Sequence, residues 1–171
     1  MPITKNSVIA FVVLILIGTL AILYLQSESE SVECARAREF SKHRTDLYEL
    51  QERLLQLNKE TGITGYITRM GDERDLVTLS AGHSIPLQKV VDQQFAAHKE
   101  ALIRIKSIVD GNSVEYVNVE TGNSVWVTMS GGGVLGVDYG YVWVNSGILP
   151  KDSKLKSCAI PDETKWFAFS R

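Results

Sequence analysis

The spacing of apolar and polar positions divides this chain into stretches of different period. From Val8 to Leu25 eighteen residues run without a charge. At a rise of ~1.5 Å per residue this makes about 27 Å of helix, close to the ~30 Å hydrocarbon core of a bilayer. The run predicts a single membrane span, with Tyr24 as an interfacial aromatic near its far end. A cleaved signal peptide is the competing reading. The run is longer than the roughly 7–15 apolar residues of a leader, and no Ala-x-Ala site follows it. Ser31, Val32 and Glu33 do not make a lipobox before Cys34. The expectation is an uncleaved signal anchor.

After a polar connector the period becomes helical. Val32 to Glu60 is charged, free of Gly and Pro, and stops before Gly62. Phe40, His43, Leu47, Leu50, Leu54 and Leu57 fall on alternating three- and four-residue steps, an a/d seam of the coiled-coil kind. Phe40, Leu47, Leu50, Leu54 and Leu57 are thus a candidate helix-docking seam, suited to self-association of a stalk. The same stripe, widened by Tyr48 and Leu55, equally suits an amphipathic helix packed on its own domain.

Strand-like patterns follow. Ile63–Met70 and Leu76–Ala81 predict a hairpin with a charged loop between. Ser84 reads as a helix cap with Pro86 in the first turn. Leu87, Val91, Phe95, His98, Leu102 and Ile105 then predict one helix from about Ile85 to Ile105. Val114–Val119, a turn at Thr121–Asn123 and Ser124–Met129 predict a second hairpin, interrupted by Gly131–Gly133. Val134–Asn145 alternates, with Tyr139, Tyr141 and Trp143 on one face and Val142 and Val144 on the other. A loop from Ser146 to Pro161 leads to a last strand at Trp166–Phe169. The predicted class is α+β with an antiparallel sheet and one long helix, behind a transmembrane helix and an amphipathic stalk. The expected domains are a short head (1–7), an anchor (8–25), a connector with a coiled-coil-like helix (26–61) and the α+β body (62–171).

Charge narrows the setting. Eighteen basic and twenty acidic residues leave −2, without the basic excess of a nucleic-acid binder. Arg36, Arg38, Lys42 and Arg44 follow the apolar run and by the positive-inside rule favour a cytoplasmic body. The seven-residue head points the other way, as does a soluble β-rich body with just two cysteines. The expectation is a single-pass protein of a bacterial inner membrane, with its body in the periplasm or outside the cell. This order of head, span, stalk and small α+β domain resembles that of bitopic assembly subunits of bacterial secretion and pilus systems. The likeness is architectural, and no residue role is carried over from it.

Candidate chemistry is sparse. Cys34 and Cys158 can close a long disulfide loop, remain two free thiols, or pair Cys34 with itself across a dimer. His43, His83 and His98 show no metal-ligand spacing, and no metal or cofactor is expected. His98 lies on an apolar stripe and reads as a core histidine. His83, on a strand-to-helix loop, is the best-placed histidine but has no evident catalytic partner. Gly131–Gly133 lacks the following helix and Lys-Ser/Thr of a phosphate cradle. Tyr139, Tyr141 and Trp143 are a candidate binding face as well as an ordinary half-buried strand pattern. Lys151, Lys154 and Lys156 form a small basic loop. The expectation is a non-enzymatic protein-binding module, either a scaffold of a cell-envelope complex or an immunity or inhibitor protein. A small hydrolase with a site assembled from distant residues is the remaining alternative.

Overall fold

The computed structural model describes residues 31–70, 73–80, 82–120, 123–129, 138–149, 151 and 154–171. The expected span at 8–25 and the triple glycine at 131–133 lie outside them. Among the described residues no helix is long and apolar enough to cross a membrane. The chain divides after Ser31, and Val32–Arg171 forms one compact unit. The helix that the sequence sets apart as a stalk is therefore a layer of the body.

The body is α+β. Helix α1 (Val32–Thr61) is followed by strands β1 (Ile63–Met70), β2 (Glu73–Leu79) and β3 (Ser84–Pro86), then by short helical turns. Helix α2 (Lys99–Gly111) leads to β4 (Val114–Glu120), β5 (Ser124–Met129), β6 (Tyr139–Trp143), β7 (Lys156–Ala159) and β8 (Trp166–Ser170). The described strands form one eight-stranded sheet in the order β3-β2-β1-β4-β5-β6-β8-β7. Every neighbouring pair is antiparallel.

Local chemistry ends α1 sharply. Gly62 sits at φ +75°, a left-handed conformation that costs glycine nothing, and its amide bonds Asn58 O at 2.9 Å. The Asn58 side chain in turn donates to Ile63 O at 3.0 Å, turning the chain directly into β1. Phe40, Leu47, Leu50, Leu54 and Leu57 are all at most 2 % exposed. They pack with Val117, Val127, Tyr141 and Trp166 of the sheet and with Leu102 and Ile105 of α2. The heptad stripe is spent on the domain's own core, so it offers no docking seam to a second helix.

Alternation along β6 is as read. Tyr139, Tyr141 and Trp143 join the core beneath the helices, whereas Val142 and Val144 join a smaller cluster with Trp126 and Phe169 on the opposite face. All three aromatic rings are buried, Tyr141 completely, and they do not form an open binding face. Gly140 lies between them because a Cβ there would stand 1.9 Å from Val127 O on β5.

Three expectations about the elements fail. The charged residues Glu73–Asp75, expected in the loop of the first hairpin, belong to β2 and pair with the end of β1. The single helix over Ile85–Ile105 is broken. Ser84–Pro86 pairs instead with Leu76–Thr78 of β2, so Ser84 caps nothing. Leu87–Lys89, a π-type turn at Val90–Gln94 and a 3-10 turn at Ala96–His98 follow, with Phe95 out of helical geometry at φ −132°, ψ 41°. Pairing β3 onto the sheet consumes the first residues of that helix, which periodicity cannot foresee. The long C-terminal loop also contains β7. Its residues are mostly exposed, so hydrophobic alternation gives no signal there.

Candidate functional site

Several polar constellations join distant parts of the body. The first gathers the start of α1 onto the last strands. Cys34, in the first turns of α1, is disulfide-bonded to Cys158 of β7, with their Cα atoms 5.1 Å apart. Beside it Ser170 Oγ donates to the buried Glu33 carboxylate at 3.1 Å. The Tyr141 hydroxyl donates to Arg36 O at 3.1 Å, and the Arg36 guanidinium lies 4.5 Å from the centre of the Tyr139 ring. Burial pushes the Tyr141 phenol up to about 12, with Arg36 opposing the shift. It is a neutral donor at any physiological pH.

The second lies around a cavity of about 390 Å³ lined by Thr68, Arg74, Asp75, Lys106 and Asp110. Asp75 Oδ1 accepts from Tyr66 Oη at 2.6 Å and from Lys106 Nζ at 2.8 Å, while Lys106 also pairs with Asp110 at 3.0 Å. Asp75 has φ +53°, a left-handed conformation unusual for a side-chain-bearing residue. Burial alone would raise its carboxyl, but the Lys106 and Tyr66 hydrogen bonds outweigh it and hold the pKa below the usual range. Lys106 is held above its usual value chiefly by its hydrogen bond to Asp75. Burial, aided by Asp75, raises Tyr66. Asp75 and Lys106 are thus locked in their charged forms and Tyr66 in its neutral one. Such a set ties β1, β2 and α2 together.

The third is centred on Glu163, in the turn before β8. Its carboxylate accepts from Tyr48 Oη at 2.5 Å and pairs with Arg44 at 2.8 Å, although its side chain is only 5 % exposed. The Tyr48 ring meets Trp166 edge-on, with centroids 5.9 Å apart.

The histidines separate. His43 Nδ1 lies 2.7 Å from Asn112 Oδ1, while Asn112 Nδ2 contacts Asp46 Oδ2 at 2.8 Å and Ile108 O at 2.9 Å. Because the amide nitrogen can only donate, its oxygen must accept, so His43 carries the proton on Nδ1. This chain links α1 to the end of α2. His98 is partly exposed, 3.5 Å from Glu60, rather than enclosed in the core. His83 is exposed, and its backbone carbonyl accepts from the Leu79 amide at 2.9 Å. Among the described residues no group of His, Cys, Asp and Glu is arranged to hold a metal ion.

Sequence reading found the Cys34–Cys158 pair. It missed Glu33, Asp75 and Glu163, because an acid tied to a partner on another element looks locally like any surface acid. The chain matches no known protein family, no curated protein and no solved structure.

Proposed function

We propose that this chain is a membrane-anchored, extracytoplasmic protein-binding module of a bacterial cell envelope, held by the apolar run at 8–25 and not an enzyme. The observation that carries this reading is the Cys34–Cys158 disulfide, which follows closely on the apolar run. Such bridges persist in oxidising compartments and are rare in the cytosol. A disulfide-closed body behind a single apolar segment is the construction expected of a domain carried across the membrane.

The charged constellations support binding over catalysis, since their carboxylates are largely engaged in ties between elements. With the seam of α1 buried in the domain's own core, the docking region is assigned to the exposed surface of the body. Both settings remain within the proposal: an envelope-complex subunit, or an immunity or inhibitor protein. The buried seam favours the latter, because an inhibitor needs only loops and edges.

The test has two parts. A reporter fused after Arg171 should be active only in its periplasmic form. Affinity purification of the full chain from mildly solubilised membranes should recover a defined protein partner. Activity of a cytoplasmic reporter alone overturns the topology. Recovery of the chain alone as a monomer overturns the binding reading.

A further inference from the structure

Among the described residues strand β7 ends the sheet and is paired with β8 alone. Which of its backbone groups stay open follows from the ladder. Asp138 and Arg171 exchange amide-to-carbonyl bonds of 3.0 and 2.8 Å, and the Val144 amide bonds Lys165 O at 2.8 Å. Successive residues of an antiparallel strand send their N–H and C=O groups to opposite sides. The odd-numbered residues of β8 therefore serve β6, and Ala168 and Ser170 serve β7. Their partners are Cys158 and Lys156. Ser157 and Ala159 consequently aim their N–H and C=O groups at the open edge, and both residues are exposed. The opposite edge is blunted: β3 has three residues and ends in Pro86, which has no N–H.

Two further features make β7 a receiving edge. It is held stiffly, because Cys158 is covalently bound to α1, which lowers the ordering cost of binding. Directly beyond Ala159 a groove of about 300 Å³ opens between α1 and the chain after β7, with Ala37, Phe40, Ile160 and Pro161 as its apolar lining and Asp162 and the Arg44–Glu163 pair at its rim. Lys156 is exposed and shares the α1-facing side of β7 with Cys158.

We propose that the open edge of β7 receives an extended, acidic segment of a partner protein as an added strand, with an apolar side chain of that segment seated in the groove beyond Ala159. Main-chain bonds to Ser157 and Ala159 supply the pairing, and a carboxylate opposite Lys156 supplies selectivity. A second copy of this chain is a poor occupant, because edge-to-edge pairing gathers Lys156 of both copies along one seam. This inference rests on the protein-binding reading and names the mode and chemistry of the partner.

The test uses the full chain in lipid nanodiscs and short labelled peptides, one alternating valine with glutamate and one alternating valine with lysine. Saturable binding of the glutamate peptide alone is expected. Amide exchange should slow at Ser157 and Ala159, while Lys156 and Cys158, already bonded to β8, stay unchanged. Ser157→Pro removes an outward N–H without touching the β8 ladder, so it should keep the wild-type melting temperature and weaken binding roughly tenfold. Lys156→Glu should reverse the preference between the two peptides. Equal binding of both peptides, protection elsewhere, unaltered binding to Ser157→Pro, or a dimer that Ser157→Pro dissociates would each overturn the proposal. If Ser157→Pro still retains a partner purified from membranes, the edge proposal falls and the binding module stands. If the wild type retains neither peptide nor partner, both fall.

Discussion

The hydroxyl of Tyr48, at mid-length of α1, donates a 2.5 Å hydrogen bond to Glu163 in the turn before β8. The two residues are 115 positions apart. With Arg44 on the other carboxylate oxygen, this pair anchors the turn that returns the chain from edge strand β7 to the sheet interior. Tyr48→Phe should lower unfolding free energy by about 1 kcal/mol, and Glu163→Gln by about 1–2 kcal/mol. Urea denaturation of the two single variants and the double variant checks this. Fully additive losses would mean that the contact contributes nothing of its own.

Gly140 is fixed by backbone proximity. A Cβ at this position meets Val127 O at 1.9 Å, and neither strand has a flexible atom to move aside. Gly140→Ala should cost about 3 kcal/mol or more by parting β5 from β6. A thermal melt within a degree or two of wild type would contradict this close approach.

The disulfide encloses 124 residues of sequence separation. In the chain-entropy model such a closure contributes about 4–5 kcal/mol. The double variant Cys34→Ser/Cys158→Ser should lose up to that amount in denaturant titrations, and wild type with dithiothreitol should match it. A reduced protein as stable as the oxidised one would remove the bridge from any structural role.

Leu50 and Leu54 have no exposed surface. Leu50→Asp therefore buries an unpaired carboxyl in the core, and a loss of about 3–5 kcal/mol or outright unfolding is expected. Circular dichroism with size-exclusion chromatography discriminates the alternatives. A variant that keeps its melt yet falls from oligomer to monomer would restore the docking seam.

Acid should weaken the contact between the two helices. Hydrogen bonds from Arg104, and then from Arg53, hold the Glu49 carboxyl down at about 2 against an ordinary value of 4.5. Asp75 is also depressed. A carboxylate whose pKa is lowered on folding adds stability that is fully present above its unfolded value. That contribution is lost as pH falls through the folded value. For Glu49 the window is from about 4.5 to about 2. The pair is solvent-accessible, so its share stays below about 1 kcal/mol. Unfolding curves of wild type and Glu49→Gln should converge across that window, and parallel curves would exclude the linkage.

Much of the body was legible in local pattern. The limits of α1, the second hairpin and the alternation of Tyr139, Tyr141 and Trp143 against Val142 and Val144 follow from period, glycine placement and strand chemistry, whereas the first hairpin was legible in its pairing and not in the start of β2. These signals involve residues only a few positions apart. What covers a stripe is not local. The Phe40–Leu57 pattern fits a second helix as well as a sheet, and only the tertiary arrangement brings Val117, Val127 and Trp166 against it.

Sequence alone determined which segments have a side to bury, and it limited any disulfide within the chain to Cys34 and Cys158, its only two cysteines. Tertiary structure decided the remainder. It brought Cys34 within reach of Cys158 and placed β8 between β6 and β7, which leaves Ser157 and Ala159 on an open edge. It also matched Glu33 with Ser170 and Glu163 with Arg44 and Tyr48. The physical reason is the same throughout. Hydrophobic period is written in neighbouring residues, whereas the partner of a lone polar group or an edge strand is chosen by how distant segments pack.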